Sequence, residues 1–268
     1  MQNAGLERQK EKVRDDFDRK AARWARLYDA PRDFRAYNFQ TRLKTVVELL
    51  KETDGPILDV GCGTGDFLPH ALDRSRNVIG VEVAESMART CRERFHQEIR
   101  EGRLQILEAD IEALCLPDRS IAGIICVGVI EYLLNPGASL REMARVLAPG
   151  GWAVITVPNA ASPFIALDRA SKSIRAAGSR AYQLLRGRAR DRSAYRHGYF
   201  TPWDLDRRLR AAGLEVERRA WSTFGSFMYS NSIPFSIAFS EALDSFRHRP
   251  VGVLGSNYIL RAIRPASR

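Results

Sequence analysis

Residues 57–66 read Ile57-Leu58-Asp59-Val60-Gly61-Cys62-Gly63-Thr64-Gly65-Asp66. A short strand of buried type runs into three glycines at alternate positions, and a helix pattern follows. A strand-to-helix turn of this composition lets the backbone approach a ligand closely, because no Cβ stands in the way. The spacing is GxGxG, and Asp66 occupies the position where a dinucleotide loop places its third glycine. Asp59, inside the strand, would repel a pyrophosphate but suits an ammonium group. The loop therefore favours a ligand with a cationic end, which disfavours a nicotinamide enzyme.

On the C-terminal side, strand and helix patterns alternate. Strands are expected at Asn77–Val83, Leu104–Ala109, Ile121–Val127 and Trp152–Val157, with helices from about Asp66, over Ser86–Arg100 and over Ala138–Leu147. Helices of ten or more residues between strands imply crossovers and a parallel sheet. After an insertion at 160–198 the alternation resumes, with a helix over Pro202–Ala212, a strand near Glu215–Ser222 and a last strand near Tyr258–Ile263. A helix is expected over Ile233–Phe246, then a loop from Pro250 to Gly255. Upstream, helices are expected over 7–28, with Val13, Phe17, Ala21, Trp24 and Tyr28 on one face, and over Phe39–Lys51.

Two further carboxylates stand at strand tips. Glu82 ends the second strand, 17 residues after Gly65, where it can accept hydrogen bonds from both hydroxyls of a ribose. Asp110 follows the third strand and can accept from an adenine amino group; as a plain helix N-cap it would bind no ligand.

The blocks ILDVGCGTG, VIGVE, EADIEALCLP and VIEYLLNPGASLREMARVLAPGGWAVITVPN resemble the class I S-adenosylmethionine-dependent methyltransferases, strongly over 55–158 and more loosely over 199–265. The resemblance implies an α/β fold: a Rossmann-like, seven-stranded, mostly parallel sheet with helices on both faces and the last strand antiparallel. It also implies an N-terminal helical cap (1–54), a cofactor half (55–159), an insertion or lid (160–198) and a C-terminal completion of the sheet (199–268). By resemblance, Asp59, Gly61, Gly63 and Gly65 hold the methionine part of S-adenosyl-L-methionine, and Cys62 of the same turn is a cofactor-binding residue. Glu82 holds the ribose, Asp110 and Ile111 the adenine, Val83 and Met87 pack on its faces, and Val127 begins the segment beneath the cofactor. Many relatives carry an Asp before strand four and a His after it. Here those positions are Ala122 or Gly123, which reads as a structural change, and Tyr132 beside Glu131, which removes one candidate base.

A sulfonium methyl is already activated, so alignment of a nucleophile is the main requirement, and positioning alone can supply roughly 7–11 kcal/mol. A base is needed only when the acceptor must lose a proton. Of four histidines, His197 stands where the chain returns to the open end of the sheet and is the candidate base; Tyr28, Tyr37, Tyr132 and Tyr199 are candidate substrate contacts. No metal cluster is expected.

Residues 168–196 hold nine basic and two acidic side chains, a net of +7 in a chain of 268 residues whose total is +10. Leu167, Ala170, Ile174, Ala177, Ala181 and Leu184 share one helical face opposite Arg169, Lys172, Arg175 and Arg180, with Gly178 expected to loosen the helix. This segment suits an anionic membrane surface, an acidic carrier protein or RNA; the alternative is a helix packed on the main domain with a solvated basic face. Membrane-associated quinone O-methyltransferases, similar in layout, carry an insertion at this place.

The longest apolar run has ten residues, whereas a membrane span needs about twenty. The N-terminus carries no apolar block, and the four cysteines show no CxxC pair, so a cytoplasmic protein with reduced thiols is expected, peripheral on the membrane at most. The acceptor is expected to be small or lipid-like, methylated on oxygen. RNA or a carrier-bound substrate is the alternative, and a non-catalytic binding module is disfavoured by the intact loop. Nucleic acid is disfavoured as a partner, because Val127-Gly128-Val129-Ile130-Glu131-Tyr132 replaces an Asn/Asp-Pro-Pro-aromatic motif and stacking aromatics are sparse among the cations.

Overall fold

The computed structural model describes residues 2–24, 33–186, 197–225 and 236–266. Seven strands form one sheet in the order β3-β2-β1-β4-β5-β7-β6. They are β1 (Ile57–Val60), β2 (Val78–Glu82), β3 (Leu104–Glu108), β4 (Ile121–Val127), β5 (Leu147–Pro158), β6 (Glu215–Ser222) and β7 (Asn257–Ile263). The first five pair in parallel, and β7 runs antiparallel to both β5 and β6.

The period-two alternation of the strands feeds two cores. On one face Leu58, Ile124, Cys126 and Ile155 pack against α6 (Pro136–Val146) and α8 (Pro202–Ala211) through Leu140, Met143, Leu205 and Leu209. On the other, Ile57, Ile125, Val154 and Ile259 pack against α2 (Phe34–Leu49), α3 (Leu68–Leu72) and α4 (Glu85–Arg94) through Val46, Leu68, Ala88 and Cys91. The second helix of the expected N-terminal cap is thus a layer of the sheet. Helix starts follow local chemistry: Asp33, Asn135 and Thr201 each accept a backbone N–H three residues on, and Pro136 and Pro202 open α6 and α8.

Gly123 pairs in register with Trp152, and a Cβ on it would lie 2.4 Å from Trp152 Cζ2. The departure noted before strand four is therefore steric: the indole fills the space a side chain would need.

Three elements differ from expectation. The helix expected over 86–100 breaks at Phe95 (φ −111°, ψ 30°) into α4 and a short α5 (His96–Arg100). Strand β5 starts at Leu147 rather than Trp152, passing through Gly150 at φ +78° and a register shift opposite β4. Helix α7 (Pro163–Arg186) runs unbroken through Gly178. It buries Ile165, Asp168 and Ser171, whereas Leu167 (49% exposed), Ala170, Ile174 (73%) and Ala177 face outward. These four place the described part of the apolar stripe on the solvent face, the reverse of a helix packed on its apolar side; the side chains of Arg175, Arg180, Ala181 and Leu184 lie outside the described residues.

Candidate active site

The sheet order reverses between β1 and β4, and a cavity of about 530 Å³ opens beyond the C-terminal ends of these strands. In open α/β sheets this is where ligands bind. Its floor is the glycine turn. Gly61 N and Cys62 N both donate to Val81 O (2.7 and 3.0 Å), folding the chain back on β2. Gly61 sits at φ +69° and Gly65 at φ +90°, and a Cβ on Gly65 would meet Phe95 at 2.4 Å and Cys91 at 3.0 Å. A side chain at either position would be strained and would push the turn out of place.

Glu82 holds this turn. Its Oε2 accepts from Gly63 N, and its Oε1 accepts from Val83 N and Ala84 N, each at 2.9 Å. The residue is only 7% exposed. Burial raises its carboxyl pKa, and the three backbone donors work against that rise. One residue thus fixes the loop and presents a carboxylate to the cavity that its neighbours line.

Asp59 stands behind the turn, 2% exposed, with Oδ2 lacking any hydrogen-bond partner. Burial, followed by the charges of Asp66 and Glu82, pushes its pKa up to about 8. A cation bound on the loop would relieve this cluster of three carboxylates, and the buried orphaned oxygen fits a ligand with a positive end.

Helix α1 (Gln2–Trp24) closes the adenine side. Lys10 bridges Asp110 (2.5 Å) and Glu112 (2.7 Å), and Asp110 Oδ1 accepts from Glu112 N. Asp18 Oδ1 accepts from Ser86 N (2.9 Å), capping α4, whose own N-cap Ala84 offers no side-chain acceptor.

The opposite wall is built from α2, the short 3₁₀ turn Ile130–Tyr132, α7 and residues 197–199. Phe17, Tyr132, His197 and Tyr199 form a run of ring contacts with centroids 5.0–5.1 Å apart, and the Arg169 guanidinium lies 4.9 Å over Tyr199. Glu131 is buried on this wall. Burial pushes its pKa up to about 7, opposed by a backbone hydrogen bond and by Arg42. Burial and then Lys172 push that of His197 down to about 4.

Of the residues expected from sequence, Gly61, Cys62, Gly63, Glu82, Val83, Met87, Asp110, Ile111, Val127, Tyr132, His197 and Tyr199 line the cavity. Asp59 and Gly65 support it from behind. Tyr37 turns away and bonds Asp244, because its helix packs that face on α9 (Ser236–Asp244). Tyr28 lies outside the described residues. The sequence reading missed Lys10, Arg42, Glu131 and Lys172, which resemble ordinary helix charges; the Glu131-Tyr132 pair after strand four was the signal available for one of them. Among the described residues no group of three or more His, Cys, Asp or Glu is placed to hold a metal, and no helix is long and apolar enough to cross a membrane.

A glycine turn after β1, a carboxylate at the tip of β2 and another after β3, at the switch point of this sheet, define the cofactor site of a class I S-adenosylmethionine-dependent methyltransferase. Residues 58–155 match the family model described as a methyltransferase domain. Ubiquinone biosynthesis O-methyltransferase of Bordetella avium is 28% identical over 205 residues, covering 75% of this chain and 79% of that protein. A probable S-adenosylmethionine-dependent methyltransferase of Mycolicibacterium smegmatis is 32% identical over 103 residues, 38% of each chain. The fold is that of magnesium protoporphyrin IX methyltransferase from Synechocystis PCC 6803 (TM-score 0.63, 17% identity, covering 96% of this chain and 99% of that one). The chain is an enzyme that uses S-adenosyl-L-methionine as methyl donor.

Proposed function

We propose that the enzyme methylates an oxygen of a small or lipid-like acceptor. The observation that carries this reading is the far wall of the cavity, where apolar and aromatic groups (Phe39, Leu133, Ile165, Tyr132, Tyr199) surround a few polar ones. Such a wall suits a flat or chain-like organic molecule held by few directional contacts. The name of the Bordetella relative points the same way.

Bound S-adenosyl-L-methionine supplies a methyl group on a sulfonium centre. The chain's own residues do the rest. The glycine turn, with the Asp59 carboxyl behind it, holds the cationic end, Glu82 and Asp110 orient the nucleoside, and α1 excludes water. Tyr132, His197 and Tyr199 bound the acceptor space, with His197 uncharged at neutral pH.

Helix α7 supports a second element of the reading, docking on an anionic membrane surface. Its outward stripe of Leu167, Ala170, Ile174 and Ala177 lies in the segment that carries a net +7, and exposed apolar residues in a strongly cationic segment fit an anionic lipid interface. This would place a cytoplasmic enzyme peripherally on the inner face, beside lipid-soluble acceptors.

Release of S-adenosylhomocysteine tests the acceptor class. The expected result is turnover on hydroxylated aromatic probes and none on the matching amines; the reverse preference overturns O-methylation. Flotation with phosphatidylglycerol vesicles tests docking. Wild type should float and Ile174→Glu should not; equal flotation of the two, or none, overturns it.

A further inference from the structure

On the acceptor wall a donor and an acceptor are both buried and both unmet. Glu131 is 4% exposed, lines the cavity, and its Oε2 has no hydrogen-bond partner. Arg42, from α2, lines the same cavity with its Nε unpartnered. The two side chains flank Gly128: a Cβ built there lies 3.5 Å from Arg42 Nη1 and 3.8 Å from Glu131 Oε1. Glu131 is also held firmly. Its turn closes with Tyr132 N donating to Val129 O, and Gly198 N donates to Glu131 O at 2.5 Å, tying it to the returning chain. A buried, orphaned carboxylate oxygen costs free energy unless a ligand completes it.

We propose that Glu131 is the group that takes the proton from the acceptor hydroxyl, with Arg42 donating to the acceptor from the other side. The inference rests on the O-methylation reading above. As the O–CH3 bond forms, the S–CH3 electron pair returns to sulfur, and the hydroxyl proton passes to Glu131 Oε2 and then to solvent. The products are the methyl ether, a neutral thioether and a protonated carboxyl.

Two features favour Glu131 over His197, the base expected from sequence. The imidazole is held between the rings of Tyr132 and Tyr199, whereas Oε2 of Glu131 meets no partner. A base works best when its pKa lies near the operating pH, and Glu131 is at about 7 against about 4 for His197. Of the charged and titratable groups, Arg42 of α2 and Cys126 of β4 are coupled electrostatically to Glu131, and Asp168 and Lys172 of α7, Tyr132, His197 and Tyr199 line the same cavity. Of these, Arg42 favours its ionised form and burial opposes it.

The test compares wild type with Glu131→Gln, which keeps the shape and removes the base. Infrared difference spectra of the full chain, titrated from about pH 5 to 9, report the carboxyl directly. Subtracting the variant's spectra from those of wild type removes the buried carboxyl of Asp59, which titrates at about 8 in both, and should leave one buried carboxyl band that disappears with a midpoint near 7. A carboxylate already ionised at the acid end overturns the proposal whatever the turnover. In parallel, turnover on a phenol un-ionised at the assay pH should fall on the order of a hundredfold or more, while binding of S-adenosylmethionine stays within about twofold. Turnover on 4-nitrophenolate, which has no proton to lose, should fall far less. Equal turnover of variant and wild type on the un-ionised phenol overturns the role of Glu131. Turnover of amines alone by the wild type would instead remove the O-methylation reading beneath it.

Discussion

Asp59→Asn should stabilise the free protein and weaken its hold on the cofactor. In the unfolded chain Asp59 titrates near 3.8, whereas in the folded state burial, Asp66 and Glu82 hold its proton on to about 8. Between these values the folded state binds a proton that the unfolded chain has lost. Stability therefore falls as pH rises through that window, by up to ~1.4 kcal/mol per unit. At pH 7 the accumulated cost is about 4 kcal/mol. The amide removes it but sets N–H donors where Oδ2 already lacks a partner, which costs about 1–3 kcal/mol. The net gain should be roughly 1–3 kcal/mol at pH 7, seen as a melting temperature several degrees higher. The gain should shrink toward pH 5, where the wild-type side chain is protonated in the folded state and its penalty is mostly absent. Calorimetric titration supplies the second half. Wild type should bind S-adenosylmethionine more tightly as pH rises from 6 to 8 and release protons on binding, because the cation favours the ionised carboxyl; the variant should lose both effects. A variant that melts no higher than wild type at pH 7–8, with unchanged cofactor affinity, would refute the charge-relief argument.

Glu82→Gln should lower the melting temperature and raise the cofactor Kd at least tenfold. An amide offers an acceptor to only one side, so either Gly63 N or the Val83 and Ala84 pair is stranded, at about 1–3 kcal/mol; differential scanning fluorimetry and calorimetric titration read the two effects. Gly61→Ala must place a Cβ at φ +69° and 2.5 Å from Val129 Cγ2. The left-handed backbone alone costs about 1–2 kcal/mol, so a melting curve that matches wild type would show that the turn does not depend on this residue. Asn159→Asp should destabilise by several kcal/mol in urea unfolding, because the fully buried amide donates to Val253 O (2.6 Å) and Gly255 O (2.8 Å), and a carboxylate would face both carbonyls.

The cofactor half was legible because its determinants are local. A strand, a turn with obligatory glycines and an acidic tip each lie within a few consecutive residues, and parallel pairing brings the tips to one edge of the sheet. The break at Phe95 was not legible, since apolar spacing continues through it and the packing of that ring against Gly65, far away in sequence, leaves no local signal. The orientation of α7 was not legible for a related reason. A helical wheel finds the apolar stripe but not the cavity that Asp168 and Lys172 help to line, and the neighbours of the helix, rather than its own periodicity, decide which face is buried.

The acceptor wall shows why substrate chemistry is the last thing such a sequence yields. Arg42, Glu131, Lys172 and His197 come from four segments of the chain, and no local sequence pattern joins them. Taken singly, Arg42 and Lys172 are solvated helix charges and Glu131 is one acid near a turn. Only the fold takes Glu131 out of water beside Arg42, with the more exposed Lys172 and His197 lining the same cavity, and desolvation is what raises the glutamate to about 7 while His197 is lowered to about 4. The glycine turn must resemble its relatives because it binds a ligand they share. The acceptor wall need only bury the right unmet donor and acceptor, which residues scattered along the chain can supply in many ways. The residues that distinguish this enzyme from its relatives are therefore to be sought where α2, the turn at Glu131 and α7 converge.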